Sequence, residues 1–335
     1  MKVAVLSSVA WRTPPRHYGP WEQVASNIAE GMIKRGVDVT LFATGDSITA
    51  GELESICATG FEEDRSQDYK VLECLHISNL MERAHEFDLI HNNFDFLPLT
   101  YSGLINTPLI TTIHGFSSKQ IIPVFKKYNS RGHYVSISNA DRSPELDYLA
   151  TVYNGLDTKN FDYNPYPQDY LLYFGRIHPH KGTAESIEIA KKTGYKLIIA
   201  GIVQDEGYFR ERVEPQLSDD ILYIGSAGPE ERNKLLGNAL ALLHPISFDE
   251  PFGLSVAEAM LCGTPVIAYN RGSMPELIKH KQTGFLIKNI DEAIDAVDAL
   301  GEINRQDCRN WAVSQFSCDK MVDDYFSLYK KILGQ

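Results

Sequence analysis

Short apolar runs recur along the chain, each followed by a polar or Gly/Pro-containing segment. The first is Val3 to Leu6; a Pro/Gly loop, an apolar pattern of helical spacing from Val24 to Lys34, Gly36 at the place of a helix cap and the run VDVTLFA follow. A strand-like run, a 3.6-residue period and a second run make a βαβ unit. Further strand-like runs are FDLIH (87–91), TPLITTIHG (107–115) and HYVSIS (133–138), separated by helical or polar stretches. That count suits an open, mostly parallel sheet.

From Asn160 the chain reads NFDYNPYPQDY, with neither helical nor alternating periodicity, before LLYFG restarts the alternation. A second series follows: LLYFG, a helix at about 183–193, KLIIAG, ILYIG, a helix at about 229–239, ALALLHP, the helix inside GLSVAEAML, and PVIAY. Met321, Val322, Tyr325, Phe326, Tyr329, Ile332 and Leu333 are spaced three and four apart, so a terminal helix buries one face. The expected division is 1–163 with the terminal helix 319–335, and 168–318. Doubly wound sheets bind ligands at the carboxyl ends of their strands, so two in tandem favour a ligand held between them.

Composition narrows the function. At 335 residues, 43% hydrophobic and 23% charged, the chain is long enough for two domains with substantial cores. A formal charge of −12 argues against broad binding of a phosphate backbone, which sets nucleic acid aside as the main partner. Five cysteines form no CxxC pair, and the odd count fits a reducing compartment, so the expected location is cytoplasmic. The apolar run of KVAVLSSVA is brief and reads as a first buried strand rather than a signal sequence. No stretch approaches the ~20 apolar residues that cross a bilayer, which leaves at most peripheral contact at the inner face of the membrane.

Two segments carry candidate chemistry. GRIHPHKG (175–182) lies between a strand and a helix, and puts Arg176 and Lys181 where free backbone N–H groups and the helix dipole already favour an anion. A diphosphate is the natural occupant. The segment lacks the Lys-Ser/Thr ending of a Walker loop, and neither half has GxGxxG after its first strand. The second segment is FDEPFGLSVAEAMLCGTPVIAY (248–269), in which Glu250 stands just outside a helix whose first turn is expected at Phe252, Gly253 and Leu254, with Glu258 further along. Carboxylates accept hydrogen bonds from vicinal hydroxyls, so one suits a sugar and the other a ribose. Val256, Ala257, Ala259, Met260 and Leu261 make that helix apolar nearly all round, which sets Glu258 apart from an ordinary solvated acid.

In this order, Gly175-Arg176, Lys181-Gly182, Glu250 with seven residues to Glu258, Gly-Thr-Pro-Val-Ile and Pro275-Glu276 resemble the family 4 retaining glycosyltransferases. The resemblance covers nearly the whole chain and implies the GT-B fold, two Rossmann-like doubly wound α/β domains with an interdomain cleft. Tyr18, Gly19 and Glu22 resemble the family's Tyr-Gly-Gly-x-Glu loop, with Pro20 in place of the second glycine. That proline removes one N–H and fixes φ, so a diphosphate contact there falls to Gly19 or Trp21. His114 matches the family's catalytic-region histidine and implies a hydrogen bond to a donor-sugar hydroxyl. Ser138, Asn139 and Arg142 resemble its Ser-x-x-x-Arg stretch, and Asn154, Gly155 and Asp157 its Asn-Gly-x-Asp turn, for which turn chemistry alone suffices. Arg12, Arg16 and His17 lie in the loop where an acceptor approaches in this fold, and with Glu22, Ser138 and Arg142 they are the implied acceptor-side residues. His91 and Asn92 end a strand and suit a local hydrogen-bond role equally well.

The implied reaction moves a hexose of glucose or mannose type from a nucleotide diphosphate sugar to a hydroxyl of a saccharide, glycan or lipid-linked glycan, with retention. Arg176 and Lys181 neutralise the leaving diphosphate, so no metal and no further cofactor is expected, and no Asp-x-Asp motif accompanies them. Glu258 holds the ribose; Glu250 and the N–H groups of Phe252, Gly253 and Leu254 hold the sugar. Retention by double displacement and by attack on the departing phosphate's face both remain open. Gly201 to Gln204 and Gly225 to Ala227 are the topological candidates for reading the base. Two other readings stand beside this one: an epimerase or phosphorylase of the same fold, and a non-catalytic nucleotide-sugar-binding protein. The first wants cleft acids and bases, a cofactor lysine or a longer chain; the second wants donor binding without turnover.

Overall fold

Seven parallel strands build the first sheet: β1 (Lys2–Leu6), β2 (Asp38–Phe42), β3 (Glu52–Glu54), β4 (Leu89–Asn92), β5 (Leu109–Ile113), β6 (His133–Ser136) and β7 (Tyr148–Thr151), in the order β3-β2-β1-β4-β5-β6-β7. The chain winds outward from β1 in one direction, then returns to its other side at β4. Alternate side chains of β1 point to opposite faces. Val3 and Val5 join a core with Ile28, Ala29 and Met32 of the helix Pro20–Lys34, while Ala4 and Leu6 join another with Ile77, Leu80 and Met81 of the helix Tyr69–Glu82. Both faces are thereby covered, as a parallel sheet requires. This is a computed structural model, and it describes residues 1–116 and 118–335.

Six parallel strands build the second sheet: β8 (Tyr170–Phe174), β9 (Lys196–Ala200), β10 (Ile221–Tyr223), β11 (Ala241–His244), β12 (Val266–Tyr269) and β13 (Gly284–Ile287), in the order β10-β9-β8-β11-β12-β13. Here the winding reverses between β8 and β11. Two Rossmann-like doubly wound α/β units result, as the sequence implies. Three strands had no strand-like run to announce them: β3 and β7 are short strands at the two edges of their sheet, and β13 opens on a glycine.

The first unit comprises Met1–Gly155 and Cys318–Gln335, the second Leu156–Ser317. The first division falls ahead of the Asn/Pro/Tyr-rich stretch, because that stretch is bonded into the second unit. Arg305 donates to the carbonyls of Asn164, Ala239 and Gly237, and Arg309 to those of Phe161 and Leu261. Asn164 N–H in turn reaches the carbonyl of Cys262. The terminal helix Cys318–Ile332 buries Met321, Val322, Tyr325 and Tyr329 in the first unit. It lies so close to the helix Pro20–Lys34 that a Cβ on Gly31 would stand 2.4 Å from a Val322 methyl.

Candidate functional site

In a doubly wound sheet the loops at the carboxyl ends of the two central strands part at the point of reversal, and a crevice opens there. Each unit places some of its sequence-marked residues at that point.

In the second unit the crevice lies after β8 and β11. The loop Gly175–Gly182 leaves β8, and glycine lets it pack closely. Gly182, at φ +79°, carries no Cβ that would otherwise stand 2.2 Å from the Pro245 carbonyl oxygen, and a Cβ on Gly201 would stand 1.8 Å from that of Gly175. Ser247 N–H donates to the His180 carbonyl at 3.0 Å, tying the loop after β11 to the loop after β8. The result brings Lys181 and Glu250 together, Nζ to Oε2 at 2.5 Å, with Nζ also 4.6 Å from the centre of the Phe248 ring. Both side chains are largely buried, at 16% and 17% exposed. Arg176 donates to Gln204 Oε1 at 3.0 Å, so the loops expected to hold a diphosphate and to read a base touch directly.

The helix after β11 runs Leu254–Leu261, so Phe252 and Gly253 precede it rather than forming its first turn. The cause is Gly253, the N-cap, whose φ of +95° lies outside the helical region. A Cβ on Gly253 would stand 2.7 Å from Met274 Cε. Glu258 is buried in the second turn, where Arg232 of the helix Pro229–Asn238 donates to its Oε1 at 3.0 Å. Burial pushes its pKa up and Arg232 opposes the shift. Glu250 and Glu258 thus answer to different cations.

Two residues here escaped sequence reading. Arg232, in PEERNK, looks like one more solvated charge. His244 ends β11, is only 6% exposed, and has a buried Nε2 with no hydrogen-bond partner. Burial lowers its pKa to about 4, while Glu250 pulls it up and Lys181 down, so a neutral imidazole stands beside the pair near pH 7. Its only sequence signal is a histidine closing the apolar run ALALLHP.

In the first unit the crevice lies after β1 and β4, and it is a cavity of about 450 Å³. Gly19 caps the helix Pro20–Lys34 from φ +152°, with Pro20 as its first residue, where a missing N–H costs no intrahelical bond. Glu22 is buried and accepts from the Ser8 hydroxyl and the Trp11 N–H; burial raises its pKa. Trp21 stacks on His114, centroids 5.5 Å apart and planes 20° apart. His114 Nε2 meets Asn93 Oδ1 at 3.2 Å, and burial lowers its pKa to about 3.

The cations expected on the acceptor side differ in their surroundings. Arg16 pairs with Asp46 at 2.9 Å and Glu63 at 2.7 Å, Arg12 Nε donates to the Pro14 carbonyl, and His17 is exposed. Trp11 and Tyr18 from that segment line the cavity instead. Ser138 is buried, its Oγ accepting from Asp141 N–H, and Arg142 lies over the Tyr148 ring at 5.1 Å. His91 is a core group: its Nδ1 meets Tyr329 at 2.5 Å and its Nε2 meets Thr112 at 2.8 Å, with Thr112 bonded on to Tyr325. Asp157 caps the turn Thr158–Asn160 by accepting from Lys159 N–H. Among the described residues no group of three His, Cys, Asp or Glu side chains is arranged to hold a metal ion, and no helix is long and apolar enough to cross a membrane.

Two family models match the chain: Glycosyltransferase Family 4 over residues 21–160, and Glycosyl transferases group 1 over residues 158–312. The chain is 23% identical to the Uncharacterized glycosyltransferase MJ1607 of Methanocaldococcus jannaschii, over 98% of this chain and 94% of that protein. It is 26% identical to the GDP-mannose:cellobiosyl-diphosphopolyprenol alpha-mannosyltransferase of Komagataeibacter xylinus, over 74% of this chain and 72% of that protein. The chain spans about half the length of some other curated relatives it matches. Among solved structures, sucrose-phosphate synthase from Thermosynechococcus elongatus superposes with a TM-score of 0.77 at 18% identity, covering 100% of this chain and 99% of that one. The two doubly wound units are those of the GT-B fold.

Proposed function

The chain belongs to the family 4 glycosyltransferases, and from that premise we propose that it moves a hexose of glucose or mannose type from a nucleotide diphosphate sugar to a hydroxyl of a saccharide or glycan, with retention and without a metal. The observation that carries this reading is the Lys181–Glu250 pair at the reversal point of the second sheet, flanked by Arg176 and by the helix start behind Gly253. Arg176 and Lys181 supply positive charge to the diphosphate as it departs, where fixed charges are worth most. Glu250 and the backbone N–H groups of Phe252, Gly253 and Leu254 hold the sugar, and Glu258 holds the ribose hydroxyls.

The bond from the anomeric carbon to the phosphate oxygen breaks, a bond to the acceptor oxygen forms on the same face, and the acceptor's proton passes to the leaving phosphate. Glu250 is held by Lys181 at 2.5 Å, which suits a binding group better than a covalent nucleophile. The Komagataeibacter relative's name joins a nucleotide-hexose donor to a lipid-linked disaccharide acceptor, which supports the same substrate classes here. The test is a thermal-shift screen of the purified protein against UDP, GDP, ADP and their hexose conjugates, without metal and then with magnesium. Ligands that bind only the folded state raise the midpoint. A metal-independent shift with one nucleotide family is the expected result, followed by hexose transfer to a saccharide; no shift from any of them overturns the reading, and binding without turnover on any acceptor favours a non-catalytic binding protein.

A further inference from the structure

The cavity of the first unit has a composition unlike that of a phosphate site. Its walls carry the aromatic side chains of Trp11, Tyr18, Trp21 and Phe96, and three carboxyl groups, those of Glu22, Glu73 and Asp95. No lysine, arginine or histidine lines it among the described residues. At about 450 Å³ it falls within the ~300–1,000 Å³ usual for small-molecule sites.

The elements that shape it are held firmly. Asn92, at the end of β4, donates to the Asp95 carbonyl at 2.7 Å and accepts from Phe94 N–H at 2.9 Å, closing the turn that carries Asp95. Asp95 sits there at φ +146°, a backbone region that non-glycine residues rarely enter. Strain of that kind persists where surrounding structure enforces it, and it concentrates at binding sites. Burial, reinforced by the neighbouring charge of Glu73, raises the pKa of Asp95 to about 7. Glu73 and Glu22 are also raised, both chiefly by burial. The stacking of Trp21 on His114 fixes the plane of that indole.

Flat aromatic faces accept the C–H faces of a pyranose, and carboxylates accept hydrogen bonds from its hydroxyls. A phosphate or carboxylate brought among these carboxyl groups, with no cation lining the cavity to offset those that are ionised, meets repulsion in a partly desolvated space, and the more so as the pH rises through the range in which Asp95 titrates. We propose that this cavity binds an uncharged sugar ring of the acceptor and rejects phosphorylated and uronic-acid sugars. The proposal rests on the glycosyl-transfer reading for the word acceptor, and on the cavity alone for the ligand's chemistry.

Two of the chain's three tryptophans, Trp11 and Trp21, line the cavity, so tryptophan emission reports its occupancy. The full chain is titrated with glucose, mannose, cellobiose and mannobiose, and in parallel with glucose 6-phosphate, mannose 6-phosphate and glucuronic acid. The expected result is a saturable emission change with at least one neutral sugar, none with the anionic ones, and a loss of about tenfold or more in affinity in Trp11→Ala, followed by calorimetry. In the double variant Glu73→Gln, Asp95→Asn the anionic sugars gain affinity relative to the neutral ones. An anionic sugar that saturates the unaltered protein as well as a neutral one overturns the proposal, and so does silence across the panel. The same sample is scored for a nucleotide-induced thermal shift: a shift with no sugar response sinks the cavity assignment alone, whereas loss of the shift itself sinks the transfer reading.

Discussion

The two reversal points share a topology and differ in charge. After β8 and β11 the two acids of the second motif each have a cation against them: Lys181 with Glu250, Arg232 with Glu258. After β1 and β4 the acids share the cavity wall with aromatic side chains and with no lysine, arginine or histidine, and Glu22 is held by Ser8 and Trp11 instead. A parallel sheet creates the crevice in both cases, so the fold decides where a ligand goes and the loop residues decide its charge. One surface is suited to a diphosphate that carries charge away, the other to a ring that carries none.

The largest effect belongs to the cationic site. Lys181→Ala is expected to lower kcat/KM by about 10²–10³-fold, the usual cost of one lost donor to a developing anion. The melting temperature should also fall, because Glu250, only 17% exposed, loses its cation, so activity is compared well below the variant's own midpoint. Steady-state kinetics beside a thermal melt decide it, and near-normal turnover would erase the contrast between the sites. Glu258→Ala comes next, with donor KM raised roughly 10- to 100-fold and kcat largely kept, as for one hydrogen bond to a charged group. If that variant unfolds instead, Glu258 serves the Arg232 pairing and not a ribose.

Smallest is a pH effect confined to the acidic cavity. A carboxyl whose pKa is raised on folding binds more protons folded than unfolded, so it lowers stability as pH rises through about 7. Asp95→Asn removes that penalty. Its melting temperature should exceed that of the unaltered chain at pH 8.5, with the gap narrowing as the pH falls to 6; a gap independent of pH would place Asp95 outside any desolvated cavity.

Much of this was legible in the sequence, because buried parallel strands announce themselves as apolar runs and βαβ loops carry their glycines and cations in linear order. The helix expected at about 183–193 is observed at Thr183–Thr193, and the one at about 229–239 at Pro229–Asn238. What a linear reading lacks is the identity of the partner across space. The sequence does not show that Arg16 stands beside Asp46 and Glu63, and Arg232 looks idle until Glu258 is found beside it. The cavity itself was only partly visible, since its walls come from residues 8 to 22 and from Phe61, Glu73 and Phe94 to Leu97, segments that a sheet brings together and a sequence does not.

The first unit is made of two pieces of chain with the whole second unit between them. During synthesis, therefore, Tyr325 and Tyr329, which close the buried bonds to Thr112 and His91, emerge only after Leu156–Ser317 has been made. The unit translated first is completed last, and until then a strip of its core meant for the terminal helix faces water, which makes that interval the time when the nascent chain most needs shelter from aggregation.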